Sequence, residues 1–123
     1  MVAVGDHLER AQMLLVEVMN QDTAGPVDVS QSRQLAQDLV RSNRLYRQTA
    51  LREGEPGMAN VLDELERVLL HISHSPNEIS ADELASLQHQ ITSQGILFKV
   101  RVIELGVQDK QKIAGSHLHE NPL

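Results

Sequence analysis

The sequence predicts an all-α fold: an antiparallel helical bundle of about four helices that ends in a long C-terminal helix. Two observations carry this. Apolar residues recur at spacings of three and four through successive segments, and those segments are separated by Gly- and Pro-bearing breaks. A third supports it: 123 residues, 41% hydrophobic and 23% charged, are the composition and length of one ordinary globular domain with a modest core.

From Asp6, a good N-cap, the residues Leu8, Ala11, Leu14, Leu15, Val18 and Met19 fall on one arc, predicting a helix over about 6–21. Thr23 to Asp28 carries the breaker Gly25-Pro26 and reads as a loop. Asp28 or Ser30 then caps a second helix over about 30–53, with Leu35, Ala36, Leu39, Ser42, Asn43, Tyr46 and Ala50 on its core face. The middle of that face is polar, and a buried Asn43 must find hydrogen-bond partners on another helix.

Gly54-Glu55-Pro56-Gly57 is a turn, with the proline suited to the first turn of a third helix over about 57–74. There Met58, Val61, Leu62, Leu65, Val68, Leu69 and Ile72 form the cleanest stripe in the chain. Ser80-Ala81-Asp82-Glu83 is a capping box, which opens a fourth helix over about 80–110. The stretch Ile96 to Ile103 is rich in β-branched residues and reads locally as a strand. Leu84, Leu87, Ile91, Gly95, Phe98, Val102 and Leu105 nevertheless keep one helical stripe through it, with Gly95 read as a close approach to a neighbouring helix. Residues 1–114 form one domain on this reading, and 115–123, without periodicity, a disordered tail.

Composition excludes several chemistries. There is no Cys, so thiol catalysis, disulfides and cysteine-ligated metals are out. A net charge of −6, with Tyr46 and Phe98 the only aromatics, argues against nucleic-acid binding by charge or by stacking. No apolar run approaches the roughly 20 residues of a membrane span. The apolar stub Met1-Val2-Ala3-Val4 is what a chain cut just after such a span would show, and equally what a frayed natural N-terminus would show. No nucleophile elbow, phosphate loop, dinucleotide fingerprint or zincin motif occurs. His71 and His74 share a helical face, but it lies opposite the apolar stripe with Arg67 between them, so they read as solvated rather than as metal ligands. Asp63, Glu64 and Glu66 likewise read as a solvated helix face. No cofactor and no catalytic residue is predicted.

Two features point to interaction. Arg33, Arg41, Arg44, Arg47 and Arg52 fall on the outer arc of the second helix, so residues 33–52 carry +4 and the rest −10. These arginines are a candidate partner-binding face, unless they pair with Glu9, Glu17, Asp63 or Glu66 on adjacent helices. A second stripe on the fourth helix, Ile96, Val100, Ile103 and Val107, is displaced by more than a right angle from the first and is a candidate interface. Burial of that stripe by another chain, as in a homodimer, or by a segment outside a simple bundle is expected.

The segments VGDHLERAQMLLVEVMN (4–20), SRQLAQDLVRSNRLYRQTA (32–50) and QGILFKVRVIE (94–104) resemble the C-terminal region of membrane-anchored anti-sigma-factor-like proteins of acidobacterial type. The resemblance spans most of residues 4–112. It implies a cytoplasmic zinc-finger-like anti-sigma segment, one membrane span, and then an extracytoplasmic helical domain of this kind on the outer face of the inner membrane. This sequence lacks the His and Cys ligands of the sigma-binding segment, so no residue here takes that role. The resulting expectation is a non-enzymatic helical sensor or interaction domain of a bacterial membrane-anchored regulator, with a protein or a second copy as its partner and a membrane anchor upstream. Two alternatives stay open: a cytoplasmic homo-oligomeric adaptor, and a helical enzyme or metal binder using scattered polar residues such as Ser42, Asn43 and His89.

Overall fold

The structure, a computed structural model, describes residues 2–22 and 24–107. The described chain is mostly helical: α1 (Val2–Met19), α2 (Ser30–Arg52), α3 (Pro56–Ser73), α4 (Ala81–Gln94) and α5 (96–107), with two two-residue strands, β1 (Val27–Asp28) and β2 (Glu78–Ile79). The expected tail over 115–123 and helix end at Lys110 lie outside the described residues.

The helix α1 opens four residues before the expected cap at Asp6, because Val4 is fully buried and stacks one turn below the buried Leu8. Pro56 occupies the first turn of α3, where its missing N–H loses nothing. Gly54, at φ 71°, makes the α2–α3 turn in a conformation that other residues avoid. The capping box forms as read: Ser80 Oγ accepts the Glu83 N–H at 3.1 Å and donates to Glu83 Oε1 at 3.2 Å. No side chain caps α2, although Asp28 Oδ1 accepts the Ser30 N–H at 2.8 Å in an Asx turn.

The segment expected as a loop over Thr23 to Asp28 pairs with the link between the third and fourth expected helices. In β1 and β2, Val27 lies opposite Ile79 and Asp28 opposite Glu78, antiparallel, and the Val29 N–H extends the ladder to the Asn77 carbonyl at 2.7 Å. Val29 and Ile79 are buried, so this small clasp fastens the starts of α2 and α4 onto the common core. The centre of that core is Leu8, Leu15, Leu39, Leu62, Leu65, Leu69, Ile72, Leu84, Ile91 and Ile96, all fully buried. Each contributes about 1.5 to 3 kcal/mol by leaving water.

The long C-terminal helix does not run through Gly95. That residue adopts φ 60°, ψ 27° and its N–H closes onto the Thr92 carbonyl, ending α4, while its own carbonyl accepts the Lys99 N–H and starts α5. Space around it is open, with nothing within 4 Å of where a Cβ would stand, so its role is the left-handed turn and not a close helix approach. The turn resets the helical phase. Leu84, Leu87 and Ile91 are buried as expected, but Phe98, Val102 and Leu105 are 71%, 48% and 53% exposed. The second stripe faces inward instead: Ile96, Val100 and Val107 are buried and Ile103 packs against them within the same chain. The β-branched run is helical because Ile96, Val100, Ile103 and Val107, spaced at four, three and four, fill the core, which outweighs a local strand preference of under about 1 kcal/mol.

Candidate interaction surface

The five arginines of α2 divide by neighbour. Arg44 Nε and Arg47 Nη2 both meet Glu66 of α3, at 3.3 and 3.4 Å. Arg33 donates to the Asn77 side chain beside the strand clasp. Asp63 pairs with Arg67 on its own helix, and Glu64 holds Lys99 of α5 at 3.0 Å. Arg41 and Arg52 are exposed with no ion pair among the described residues. They sit on one arc with the exposed Leu45, while Leu51, 59% exposed, falls about 120° from Leu45 around the helix. The basic face is therefore narrower than five residues, and it is partly apolar.

The former interface candidates Ile96, Val100, Ile103 and Val107 are covered by the chain's own helices. At the end of this stripe Val107 lies against α1, its Cγ1 3.5 Å from where a Cβ on Gly5 would stand. Their inward turn is what leaves Phe98, Val102 and Leu105 outside. Six large hydrophobics are exposed among the described residues, and four of them, Met13, Phe98, Val102 and Leu105, lie on α1 and α5.

The seam between those two helices carries two hollows. The one at the Gly95 elbow is apolar, about 310 Å³, lined by Met19 of α1, Ile91 and Thr92 of α4, and Leu97, Phe98 and Arg101 of α5. The other, further along, is acidic, about 460 Å³, lined by Glu9, Gln12, Met13, Val16 and Glu17 of α1 and Glu104 of α5. Gln12 bridges the two helices: with its amide turned so that both ends are satisfied, its nitrogen donates to Glu104 Oε2 at 2.9 Å and its oxygen accepts from Arg101 Nε at 3.2 Å. Partial burial and then the neighbouring Glu9 carboxylate raise the Glu104 carboxyl above its ordinary range, against the lowering influence of Arg101.

A second polar feature is wholly internal. Asn43 is fully buried and His7 nearly so. Asn43 Nδ2 donates to the Leu62 carbonyl at 2.7 Å, which leaves Oδ1 to accept from His7 Nε2 at 2.9 Å. The proton of the neutral imidazole is thereby placed on Nε2, and Nδ1 is buried with no partner among the described residues. The imidazole tilts against Tyr46, ring centroids 5.0 Å apart. This cluster links α1, α2 and α3 and contributes no residue to either hollow of the α1–α5 seam, so it specifies packing. Asn43 thus has the interhelical bonds its burial demands. His7 escaped the sequence reading, yet His7, Ala11, Leu14 and Val18 follow one another at four, three and four, on the buried arc itself.

The remaining polar candidates do not converge. His71 and His74 are exposed, with His71 Nδ1 2.6 Å from Gln90 Oε1. His89 is exposed on α4 and Ser42 half-buried on α2. Among the described residues no group of three or more His, Asp and Glu stands close enough to hold a metal ion, and no helix is long and apolar enough to cross a membrane. Comparisons with protein-family models, curated proteins and solved structures find no match, so the surface is read from its own geometry.

Proposed function

We propose that this chain is a non-enzymatic interaction domain, an antiparallel helical bundle whose α1–α5 groove docks a partner helix. The observation that carries this is the exposure of Met13 and Phe98, 65% and 71%, on the lining of the α1–α5 seam, with Val102 and Leu105 also exposed on α5. Soluble proteins scatter exposed apolar side chains singly, and a row of them beside a groove marks a binding surface. Two helices running past each other in opposite directions present ridges between which a third can lie. The resemblance of segments 4–20, 32–50 and 94–104 supports the wider setting: the extracytoplasmic sensing part of a bacterial membrane-anchored regulator of anti-sigma-factor-like type.

The test is photocrosslinking in the living cell from p-benzoylphenylalanine placed at Met13, Phe98 or, as an exposed position on another helix, Ala85. Positions 13 and 98 should give adducts of one shared mass, absent from position 85. No adduct, or the same adducts from all three positions, overturns the reading.

A further inference from the structure

The α1–α5 seam has an apolar hollow and an acidic one, and the same chain carries a surface of matching chemistry. On the outer side of α2, Arg41, Leu45, Gln48 and Arg52 fall within a narrow arc at roughly 100° per residue. Leu45 is 65% exposed, and neither Arg41 nor Arg52 has an ion pair among the described residues. Of the six large hydrophobics exposed among the described residues, four lie on α1 and α5, with Met13 and Phe98 lining the seam between them, and Leu45 and Leu51 lie on α2. Each place has what the other lacks.

Building on the reading of the groove as the docking surface, we infer that its occupant is the outer face of α2 from a second copy of this chain. Leu45 enters between Met13, Met19 and Phe98, and Arg41 and Arg52 come to Glu9 and Glu17. The geometry is helix in groove, the same mode by which amphipathic helices dock apolar channels. Charge complementarity sets the orientation and speeds encounter, while Leu45, Met13 and Phe98 supply the burial. The segment bearing α2 is basic in an acidic chain, residues 33–52 carrying +4 against −10 for the rest, so the attraction is between unlike parts of identical molecules.

The contact joins two different patches. It is heterologous, so each copy keeps an empty groove at one end and a free α2 face at the other. Repetition therefore closes a ring or grows an open chain. A two-fold dimer, in which one patch meets itself, uses neither complementarity.

Sedimentation of the full chain decides it. The average mass should rise with concentration past twice 13.7 kDa, and fall back as salt is raised from about 50 mM to about 500 mM. Phe98→Asp removes the groove half and Leu45→Asp with Arg41→Glu removes the α2 half. Each variant should be a folded monomer, with helical circular dichroism as the check. Phe98→Ser and Arg52→Ala, which place no new charge, give the same direction with smaller effect.

Mixing the two defective variants restores one intact contact. The mixture should form a 1:1 pair that grows no further. A wild-type chain that stays monomeric to near-millimolar concentration, or a closed dimer that the mixture fails to restore, overturns the inference. If position 98 then still yields an adduct with a different protein, the groove stands as a docking surface and only its occupant is wrong. If positions 13 and 98 yield none, the surface reading falls with it.

Discussion

His7 Nε2 and Asn43 Oδ1, 36 residues apart in the chain, lie 2.9 Å from each other in the interior where α1 crosses α2. The bond is the middle of a relay from imidazole to amide to the Leu62 carbonyl of α3. Buried polar groups stabilise only when satisfied, so this relay fixes how three helices sit together more than it adds to their cohesion.

Replacing Asn43 by Leu should lower stability by about 1 to 3 kcal/mol, because it strands the His7 N–H in an apolar interior. Urea denaturation measures it. In a double-mutant cycle with His7→Phe the two losses should be less than additive, as expected for partners in one bond.

Stability should fall on mild acidification through His7. Burial lowers its pKa below the ordinary histidine value, the Asn43 bond opposes that, and Arg10 lowers it further. A proton would have to enter on Nδ1, where no acceptor waits. Above the ordinary value of about 6.5 both folded and unfolded chains are neutral at this site and the stability is fully present. Below it the unfolded chain binds the proton first, so stability declines by at most about 1.4 kcal/mol per pH unit until the pH passes the depressed folded value. Denaturation midpoints of the parent and of His7→Phe, compared from pH 7.5 to 5, should diverge as this slope disappears from the variant.

Gly95→Ala should cost about 1 kcal/mol through its left-handed backbone alone, since a Cβ there meets nothing. Gly95→Asn should cost less, because asparagine tolerates that conformation. Thermal melts order the three proteins as Gly, Asn, Ala. An alanine variant more stable than the parent would mean that α4 and α5 prefer to be one helix.

Val100→Glu should unfold the domain or cost more than about 3 kcal/mol, since the carboxylate would enter a fully buried site without a partner. Phe98→Glu, two residues away on the opposite side, should change stability by no more than about 0.5 kcal/mol. Circular dichroism and urea midpoints of the pair read the phase of α5 directly.

Much of this molecule is local and so was written in the sequence. Helix content follows from spacing at three and four, and the Ser80–Glu83 box, Pro56 and Gly54 mark ends by groups that act within one turn. The buried stripe of α3 and the buried Asn43 follow from the same periodicity. What the sequence could not decide was anything that depends on the direction of an axis. One left-handed glycine rotates α5 relative to α4, and that rotation decides whether Phe98 or Val100 meets the core. Whether Arg44 and Arg47 remain open or share Glu66, and whether two loops become β1 and β2, depend equally on distances that only packing sets. His7 shows the limit most plainly: its position on the buried arc is local, but the Asn43 oxygen that makes its burial tolerable comes from another helix, brought there by the fold.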